Sequence, residues 1–317
     1  MMSVALRNRL RRFAQVVDPD YRLRGMPRRL RGAWFTCTHA VAGPDEANRA
    51  IAETILDGRP AAIGKIGNSE LRIVLRWLAS GGRTARFPAW LRDEALVGPG
   101  VFPPDDRTLA RFSEFFLERL GAVDLLGVWY NEGEARVVRT AAPRARCINV
   151  EGLEPYRFAA PWTRALEGKR VVVVTPFART AAAQYARRSA VWPTTTPLLP
   201  DVDLRVVTAP FSPALAPPAH ADWFARHKAM AEELEREPFD VAVVGAGALS
   251  IPLCAHAKRL GRIGIHTGGA TQVLFGILGR RFDGAAEVAP LVNAHWCRPL
   301  PEETPAANRL VENGAYW

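Results

Sequence analysis

Two glycine-rich bends in the last third of the chain are suited to hold an anion with their backbone. Each follows a short predicted strand. The first, residues 239–244, is apolar apart from Asp240 and suits a strand buried in a parallel sheet, and the second is residues 262–266. A helical sequence follows each bend, so the free N–H groups of both bends should lie at one edge of the sheet. This predicts a site for a nucleotide diphosphate at Gly245, Gly247, Gly268 and Gly269. The alternative is that these glycines only permit tight turns.

Three polar side chains accompany these bends. His266 ends the second predicted strand, where an imidazole suits a general base or a group that orients a hydroxyl. Ser250 is expected to cap the helix that follows the first bend. Gln272, on the helix after the second bend, is expected to contact a sugar hydroxyl or a base edge. A purely structural role is the alternative for His266.

A third strand, bend and helix carries charge, at residues 64–70 with the sequence GKIGNSE. Lys65 is expected to contact a phosphate. Asn68 and Glu70, two residues apart, are expected to share a metal ion or a ribose hydroxyl. In the alternative interpretation, Asn68 or Ser69 caps the following helix and Glu70 interacts favourably with its first turn.

The remaining predicted strands also end at polar loops. The loop at 130–134 contains the acidic pair Glu132 and Glu134, which suits either a metal ion or plain solvation. Because ligands in wrapped parallel sheets bind outside the carboxyl ends of the strands, this recurrence favours a ligand-binding enzyme over a scaffold. The loops are 64–70, 130–134, 151–156, 175–180, 245–250 and 266–269.

The elements that must position these loops alternate along the chain. About seven predicted strands are separated by helices, which indicates an α/β, Rossmann-like fold with a mostly parallel sheet and helices on both faces. Residues 81–108 are rich in Gly and Pro and predict a long surface loop, a candidate lid or acceptor-binding segment. A helix is predicted to follow over 109–120.

Composition and charge narrow the class of protein. The 317 residues are 48% hydrophobic and 23% charged, which is typical of a soluble domain. Four dispersed cysteines without a C-x-x-C pair and the absence of an apolar secretory signal predict a cytoplasmic protein. Residues 1–31 hold nine arginines against two aspartates, so they supply +7 of the net charge of +10. We therefore predict a basic segment over 1–40 and a single α/β domain over 41–317.

The basic segment has helical periodicity. Leu6, Leu10, Phe13 and Val17 recur at helical spacing with arginines between them. Such a helix is suited to lie on an anionic membrane, which predicts a peripheral protein on the inner face of the membrane. The alternatives are a solvated helix docked on its own domain or a disordered leader. Nucleic-acid binding is not expected, because no recognition motif accompanies the arginines.

Several motifs resemble one family of enzymes. The string GKIGNSEL is similar to the motif of the GT-D-type glycosyltransferases, in which a strand runs into a glycine and an acidic D-x-E before a helix. GKRVVVVTPFARTAAAQYARR, FDVAVVGAGALSIPLCAHAKRLG, IHTGGATQVLFGILGRRF and VENGAYW resemble proteins of bacterial surface-polysaccharide clusters with that fold. In that family the acidic pair engages a nucleotide-sugar donor and its divalent metal. Here Asn68 replaces the first acid, so only Glu70 carries over, and dependence on manganese or magnesium stays open.

The resemblance implies a glycosyltransferase that moves a sugar from a nucleotide-sugar donor to a glycan or lipid-linked acceptor. The catalytic residues would be Glu70 and His266, with Glu70 also the metal ligand. The charge of the leaving group would be neutralised by that metal, or by Lys65 and Arg179 without it. Donor-binding residues would be Gly64, Lys65, Gly67, Asn68, Arg179, Gly245, Gly247, Ser250, Gly268, Gly269 and Gln272.

Two other functions remain open at this point. One is a different nucleotide-dependent enzyme, such as an oxidoreductase or an epimerase. The bend after residues 239–244 reads GAGALS and lacks the third glycine of the dinucleotide fingerprint, which argues against it. The other is a non-catalytic assembly protein of a polysaccharide pathway.

Overall fold

Eight parallel strands form a single sheet. The computed structural model describes residues 28–82, 86–193 and 198–317. The predicted α/β, Rossmann-like architecture is confirmed, and the strand beyond the expected seven is a two-residue edge strand. The strands are β1 (Val41–Ala42), β2 (Ala61–Lys65), β3 (Leu125–Val128), β4 (Arg146–Asn149), β5 (Arg170–Thr175), β6 (Asp203–Thr208), β7 (Val241–Val244) and β8 (Ile263–His266).

Helices separate most of the strands, and short 3₁₀ turns occur in several of the connections. In the part of the chain that the structure describes, the α-helices are α1 (Arg28–Thr38), α2 (Pro44–Asp57), α3 (Asn68–Ala79), α4 (Ala89–Val97), α5 (Asp106–Leu120), α6 (Glu134–Ala141), α7 (Ala178–Ala186), α8 (Arg188–Val191), α9 (Trp223–Glu235), α10 (Ser250–Arg259) and α11 (Ala270–Leu274).

The order of the strands creates a switch point in the middle of the sheet. The order is β1-β4-β3-β2-β8-β7-β5-β6, and all neighbours pair in parallel. The N-terminal strands β1–β4 form one half and β5–β8 the other, joined where β2 pairs with β8. The chain leaves β2 towards β3, away from β8. The carboxyl ends of β2 and β8 therefore border a crevice of the kind that holds ligands in open α/β sheets.

Both faces of the sheet are covered by helices, as right-handed crossover connections require. Alternate residues of each strand face opposite layers, as Val172 and Val173 show on β5. One layer contains α1, α3, α4, α5, α6, α9 and α10. The other contains α2, α7, α8 and α11. The helices that follow β2 and β7 thus lie on the opposite face from those that follow β5 and β8, which opens the crevice between them.

Helix α10 packs directly on β8 because a glycine removes the side chain between them. A Cβ on Gly264 would overlap Cys254 and would lie 2.7 Å from its backbone oxygen. Gly64 of β2 has a similar role, since its Cβ would lie 2.7 Å from Ile251 Cδ1. Gly64 therefore belongs to the packing of the sheet rather than to the predicted donor site.

The prediction of a long loop over 81–108 is wrong in its middle. Helix α4 occupies Ala89–Val97, and its Leu91 and Ala95, one turn apart, are buried in the core. The high content of Gly and Pro on either side hid this short apolar stripe. The next helix begins at Asp106 rather than 109, because Asp105 caps it by accepting the N–H of Thr108 at 2.7 Å.

The predicted amphipathic helix at residues 6–17 lies outside the described residues. Within the described part of the basic segment, α1 packs on the domain through Phe35, which is buried. Its ring meets Tyr130 edge-on at 5.6 Å between centroids. Of the helices described, none combines the length and the apolar character needed to cross a membrane.

The contact between α10 and β8 predicts that Gly264→Ala destabilises the fold. The new methyl group must push α10 away from the sheet, so we expect a loss of about 2 kcal/mol or more in the free energy of unfolding. Denaturant titration measures it. Gly43→Ala is the matched control, since a Cβ there meets nothing within 4 Å. Equal, small losses in both variants would show that the packing is not tight.

Candidate functional site

A single cavity of about 620 Å³ opens at the carboxyl ends of β2, β5, β7 and β8. Its size falls within the range of small-molecule sites. It brings together most of the side chains and bends predicted from the sequence. The predicted residues that line it are Lys65, Gly67, Asn68, Glu70, Gly245, Gly247, His266, Gly268, Gly269 and Gln272.

Lys65 ends β2 and is 92% buried, with an exposed fraction of 8%. Its ammonium group lies over the ring of Trp129, 4.8 Å from the centroid. Within the described residues no carboxylate forms an ion pair with it. Burial lowers the pKa of Lys65 to about 8, with Glu154 opposing this effect and Arg281 adding to it. Lys65 is therefore a desolvated cation that lines the cavity.

The bend after β8 presents its backbone to Lys65. Gly268 has a left-handed φ of 60°, and a Cβ there would lie 3.2 Å from Lys65 Cε. A Cβ on the adjacent Gly269 would lie 3.2 Å from Arg281 Nη1. A Cβ at either position would push its cation back by a few tenths of an ångström, so the glycines permit the closer approach.

Two of the four glycine amides predicted to bind phosphate lie in this bend. Within the described residues, the N–H groups of Gly268 and Gly269 donate to no acceptor, and neither does that of Gly247. The N–H of Gly245 is different, because it donates to Val174 O at 2.8 Å and extends the sheet. The prediction of a free amide at Gly245 is therefore wrong.

Ser250 does not cap its helix as predicted. It is the first residue of α10, and its hydroxyl accepts the N–H of Ala246 at 2.9 Å. The hydroxyl thereby braces the bend after β7. Ser250 is fully buried, so it supports the cavity wall from behind.

Glu70 lies in the first turn of α3, over the glycine that precedes the helix. Its carboxylate occupies the space where Gly67 would carry a side chain. Neither Asn68 nor Ser69 caps the helix, so the alternative of a side-chain cap at those residues is wrong. Burial, together with Glu94 and Glu312, raises the pKa of Glu70 to about 7, while its own backbone N–H opposes the shift. Glu70 is thus able to exchange a proton near neutral pH.

His266 ends β8 and is neutral. Burial, with the nearby charge of Lys65, lowers the pKa of His266 to about 3, although a bond to Val244 opposes the shift. Its Nδ1 lies 3.1 Å from Val244 O, which can only accept, so Nδ1 carries the proton. Nε2 therefore keeps its lone pair and accepts hydrogen bonds.

Arg179 lies outside the cavity. Its guanidinium is exposed, pairs with Glu302 at 2.7 Å and lines a separate groove between α7 and β6. The amides that begin α7 are already satisfied, because the carboxylate of Glu303 accepts the N–H groups of Arg179 at 2.7 Å and Thr180 at 3.1 Å. The carboxylate of Glu303 therefore occupies the position where an anionic ligand would bind at the bend after β5. Arg179 is not part of the predicted donor site.

The acidic loop at 130–134 is structural rather than an open metal site. Glu134 is fully buried, and its carboxylate accepts the backbone N–H of Asn131 at 2.9 Å and of Trp129 at 3.1 Å. Over residues 28–82, 86–193 and 198–317, no group of three or more His, Cys, Asp or Glu side chains is arranged to hold a metal ion.

Several residues of the cavity are not predicted from the sequence. Arg281 lies near Lys65 and reaches Glu312 at 3.9 Å. Arg226, on α9, lines another part of the wall. Arg226 lies on a helix and Arg281 in the short segment between Gly279 and Gly284, and an arginine in such places ordinarily indicates a solvated surface. Aromatic residues also line the cavity: Trp129, Phe177, Phe211, Trp223, Tyr316 and Trp317.

Comparisons with protein-family models, curated proteins and solved structures find no match to this chain. The residues of the cavity therefore carry the functional argument.

The raised pKa of Glu70 predicts a pH-dependent cost to stability. Between its ordinary value of 4.5 and about 7, the folded state binds more protons at this carboxyl than the unfolded state. The wild type should therefore lose about 3 kcal/mol relative to Glu70→Gln as the pH rises through this window. Denaturant unfolding of both proteins, at about pH 4.5 and about pH 8, measures the difference. Parallel pH curves would contradict the burial of an ionisable carboxyl here.

Proposed function

We propose that the chain is a glycosyltransferase that binds a nucleotide sugar in this cavity. The observation that carries the proposal is Lys65, a desolvated cation without a carboxylate partner in the described residues, facing the bend at Gly268 and Gly269. A buried cation beside free amides, at the switch point of a parallel sheet, matches the needs of a diphosphate. The free-energy cost of burying the Lys65 ammonium group is offset when an anion binds beside it.

The diphosphate would lie between Lys65 and the bend after β8. The N–H groups of Gly268 and Gly269 would donate to its oxygens, and that of Gly247 approaches from the bend after β7. The two bends touch, since a Cβ on Gly245 would lie 2.9 Å from Gly268 O. Arg281 would take the role expected of Arg179, because it lies against Gly269.

The donor set does not fit a resident divalent metal ion. At the position expected for the metal, Glu70 is the only carboxylate of the motif, and Asn68 is neutral. The nearby carboxylate of Glu94 already accepts hydrogen bonds from Ser69 at 2.7 Å and Arg72 at 2.9 Å. The departing diphosphate would instead be stabilised by Lys65 and Arg281, which supply positive charge in a desolvated cavity where it acts strongly.

Glu70 and His266 would have different roles towards the acceptor hydroxyl, one as its base and the other as the group that orients it. A general base is most effective when its pKa lies near the working pH, and Glu70 meets this condition at about 7. His266, with a pKa of about 3, is too weak a base to hold the proton. Its unprotonated Nε2 is suited to accept the hydroxyl's hydrogen bond and orient it.

The sugar or the base would be recognised by Gln272 and the aromatic wall. Gln272 is buried, and its Nε2 donates to Tyr316 O at 2.8 Å. Its Oε1 has no hydrogen-bond partner among the described residues. A ligand hydroxyl or base N–H would satisfy this buried acceptor. Trp129 and Tyr316 offer apolar faces for a sugar ring or a base. The acceptor would be a glycan or a lipid-linked precursor, as the resemblance implies.

The proposal predicts that one nucleotide sugar binds and that Lys65 decides its affinity. Thermal-shift screening with UDP-, GDP-, CMP- and dTDP-sugars and with NAD identifies the ligand, and calorimetry then measures its affinity. We expect Lys65→Met to weaken binding at least about tenfold, as for a lost charge-assisted bond. Wild-type affinity should fall above about pH 8, where the free lysine loses its charge. The pH dependence should vanish in Lys65→Met.

Lys228→Met is the matched control for this experiment. Lys228 is an exposed lysine of α9, paired with Glu232 at 3.7 Å and outside the cavity. We expect its affinity and pH profile to equal those of the wild type. A preference for NAD, or the absence of any shift in the screen, would reject the transferase proposal in favour of another nucleotide enzyme or an assembly protein.

A second prediction concerns the chemical step. Once donor and acceptor are known, Glu70→Gln should lower kcat by at least about a hundredfold, because it removes the base that takes the acceptor's proton. Donor affinity should change little, since Glu70 would not bind the diphosphate. The wild-type rate should rise with pH through about 7. Full activity of Glu70→Gln would remove Glu70 from the mechanism.

A further inference from the structure

Arg226, in the first turn of α9, is a second buried cation in the cavity wall. It is 97% buried, with an exposed fraction of 3%. Its Nη1 donates to Phe211 O at 3.2 Å, and its guanidinium lies 4.4 Å from the centroid of the Phe102 ring. Its Nε has no acceptor, and no carboxylate of the described residues forms an ion pair with it.

A second arginine that braces the same helix shows what a purely structural contact looks like. Arg205 of β6 donates to Glu233 O at 3.0 Å and to Leu234 O at 2.9 Å, at the C-terminal end of α9. It also lies within 3.8 Å of the Glu233 carboxylate. Arg226 makes one such bond and has no counter-charge, although it is the more buried of the two. An unpaired buried charge is costly, so this cation is expected to have a ligand.

The surroundings of Arg226 leave room for that ligand. The wall beside it is formed by Gly98–Gly100 and by the loop that follows β6. Gly100 has a left-handed φ of 74°, and a Cβ there would still lie 3.7 Å from Arg226 Nη1. The Cα of Ser212, in the loop after β6, lies 3.6 Å from the same point. None of the three atoms nearest to that point among the described residues belongs to an acidic side chain.

Arg226 and Lys65 serve different parts of the cavity. Lys65 contacts residues that follow β3 and β8, whereas Arg226 contacts the segment before α5 and the loop after β6. Burial lowers the pKa of Arg226 to about 10. Because the two cations contact different segments of the cavity wall, they suit two separate anions.

We propose that Arg226 forms a second anion-binding subsite, which takes a phosphate or carboxylate group carried by the acceptor. The planar guanidinium matches both oxyanions, and the desolvated cavity strengthens the contact. The assignment to the acceptor rests on the proposed function, in which Lys65 holds the diphosphate of the donor. The subsite makes the acceptor an anionic molecule rather than a neutral sugar.

The test uses full-length Lys65→Met, in which the first anion site is disabled. Inorganic phosphate, methyl phosphate and acetate are titrated by calorimetry at constant ionic strength. We expect saturable binding by at least one of them, and its preference for phosphate or acetate identifies the oxyanion. Adding Arg226→Met should weaken that binding at least about tenfold. Adding the control Arg205→Met should leave it unchanged.

Two results would overturn the subsite. One is that none of the three anions binds the Lys65→Met protein. The other is that adding Arg226→Met to that protein leaves the anion affinity unchanged. If the Arg226→Met protein does not fold, Arg226→Gln replaces it, since the amide keeps a donor for Phe211 O and removes the charge. Unchanged anion affinity in Arg226→Gln would then reject the proposal. These results do not depend on a nucleotide sugar, so they are separate from a failure of the transferase proposal.

Discussion

The pairing of β2 with β8 is the contact on which the site depends. It joins the two halves of the sheet, with Ile63 opposite Ile265. Because the strands are parallel, both end at the same edge, and Lys65 and His266 arrive there together. The register of β7 with β8, with Val244 opposite His266, adds the bend at Gly245–Gly247. A slip of one residue would turn these side chains to the other face of the sheet.

Desolvation gives the cavity its chemical character. The same burial lowers the pKa of Lys65 and His266 and raises that of Glu70, which favours the uncharged form of each group. Burying such groups without a partner of opposite charge costs free energy of folding. Perturbed ionisable groups that converge in one cleft are typical of functional sites.

The bends at the strand ends are not equivalent, although they look alike in sequence. After β5, the carboxylate of Glu303 accepts hydrogen bonds from the first amides of α7. After β3, the carboxylate of Glu134 accepts a hydrogen bond from an amide of its own loop. After β8, the amides of Gly268 and Gly269 are not used within the described residues. The acid that serves the bend after β3 is local, whereas the one that serves the bend after β5 comes from more than a hundred residues away. The contact of Glu303 is therefore not visible in a local motif.

The sequence by itself determined the alternation of strands and helices, the parallel sheet and the edge at which the bends gather, because these follow from local apolar patterns and from the handedness of crossovers. It predicted Lys65, Glu70 and His266 at that edge, since each ends a strand or begins a helix. It failed for α4, whose short apolar stripe lies among glycines and prolines, and for Arg179, which turns towards Glu302. Which cations have no ion-pair partner among the described residues depends on long-range packing. Arg226 and Arg281 reach the cavity from distant segments, and the burial and pairing of a charge depend on every element packed around it.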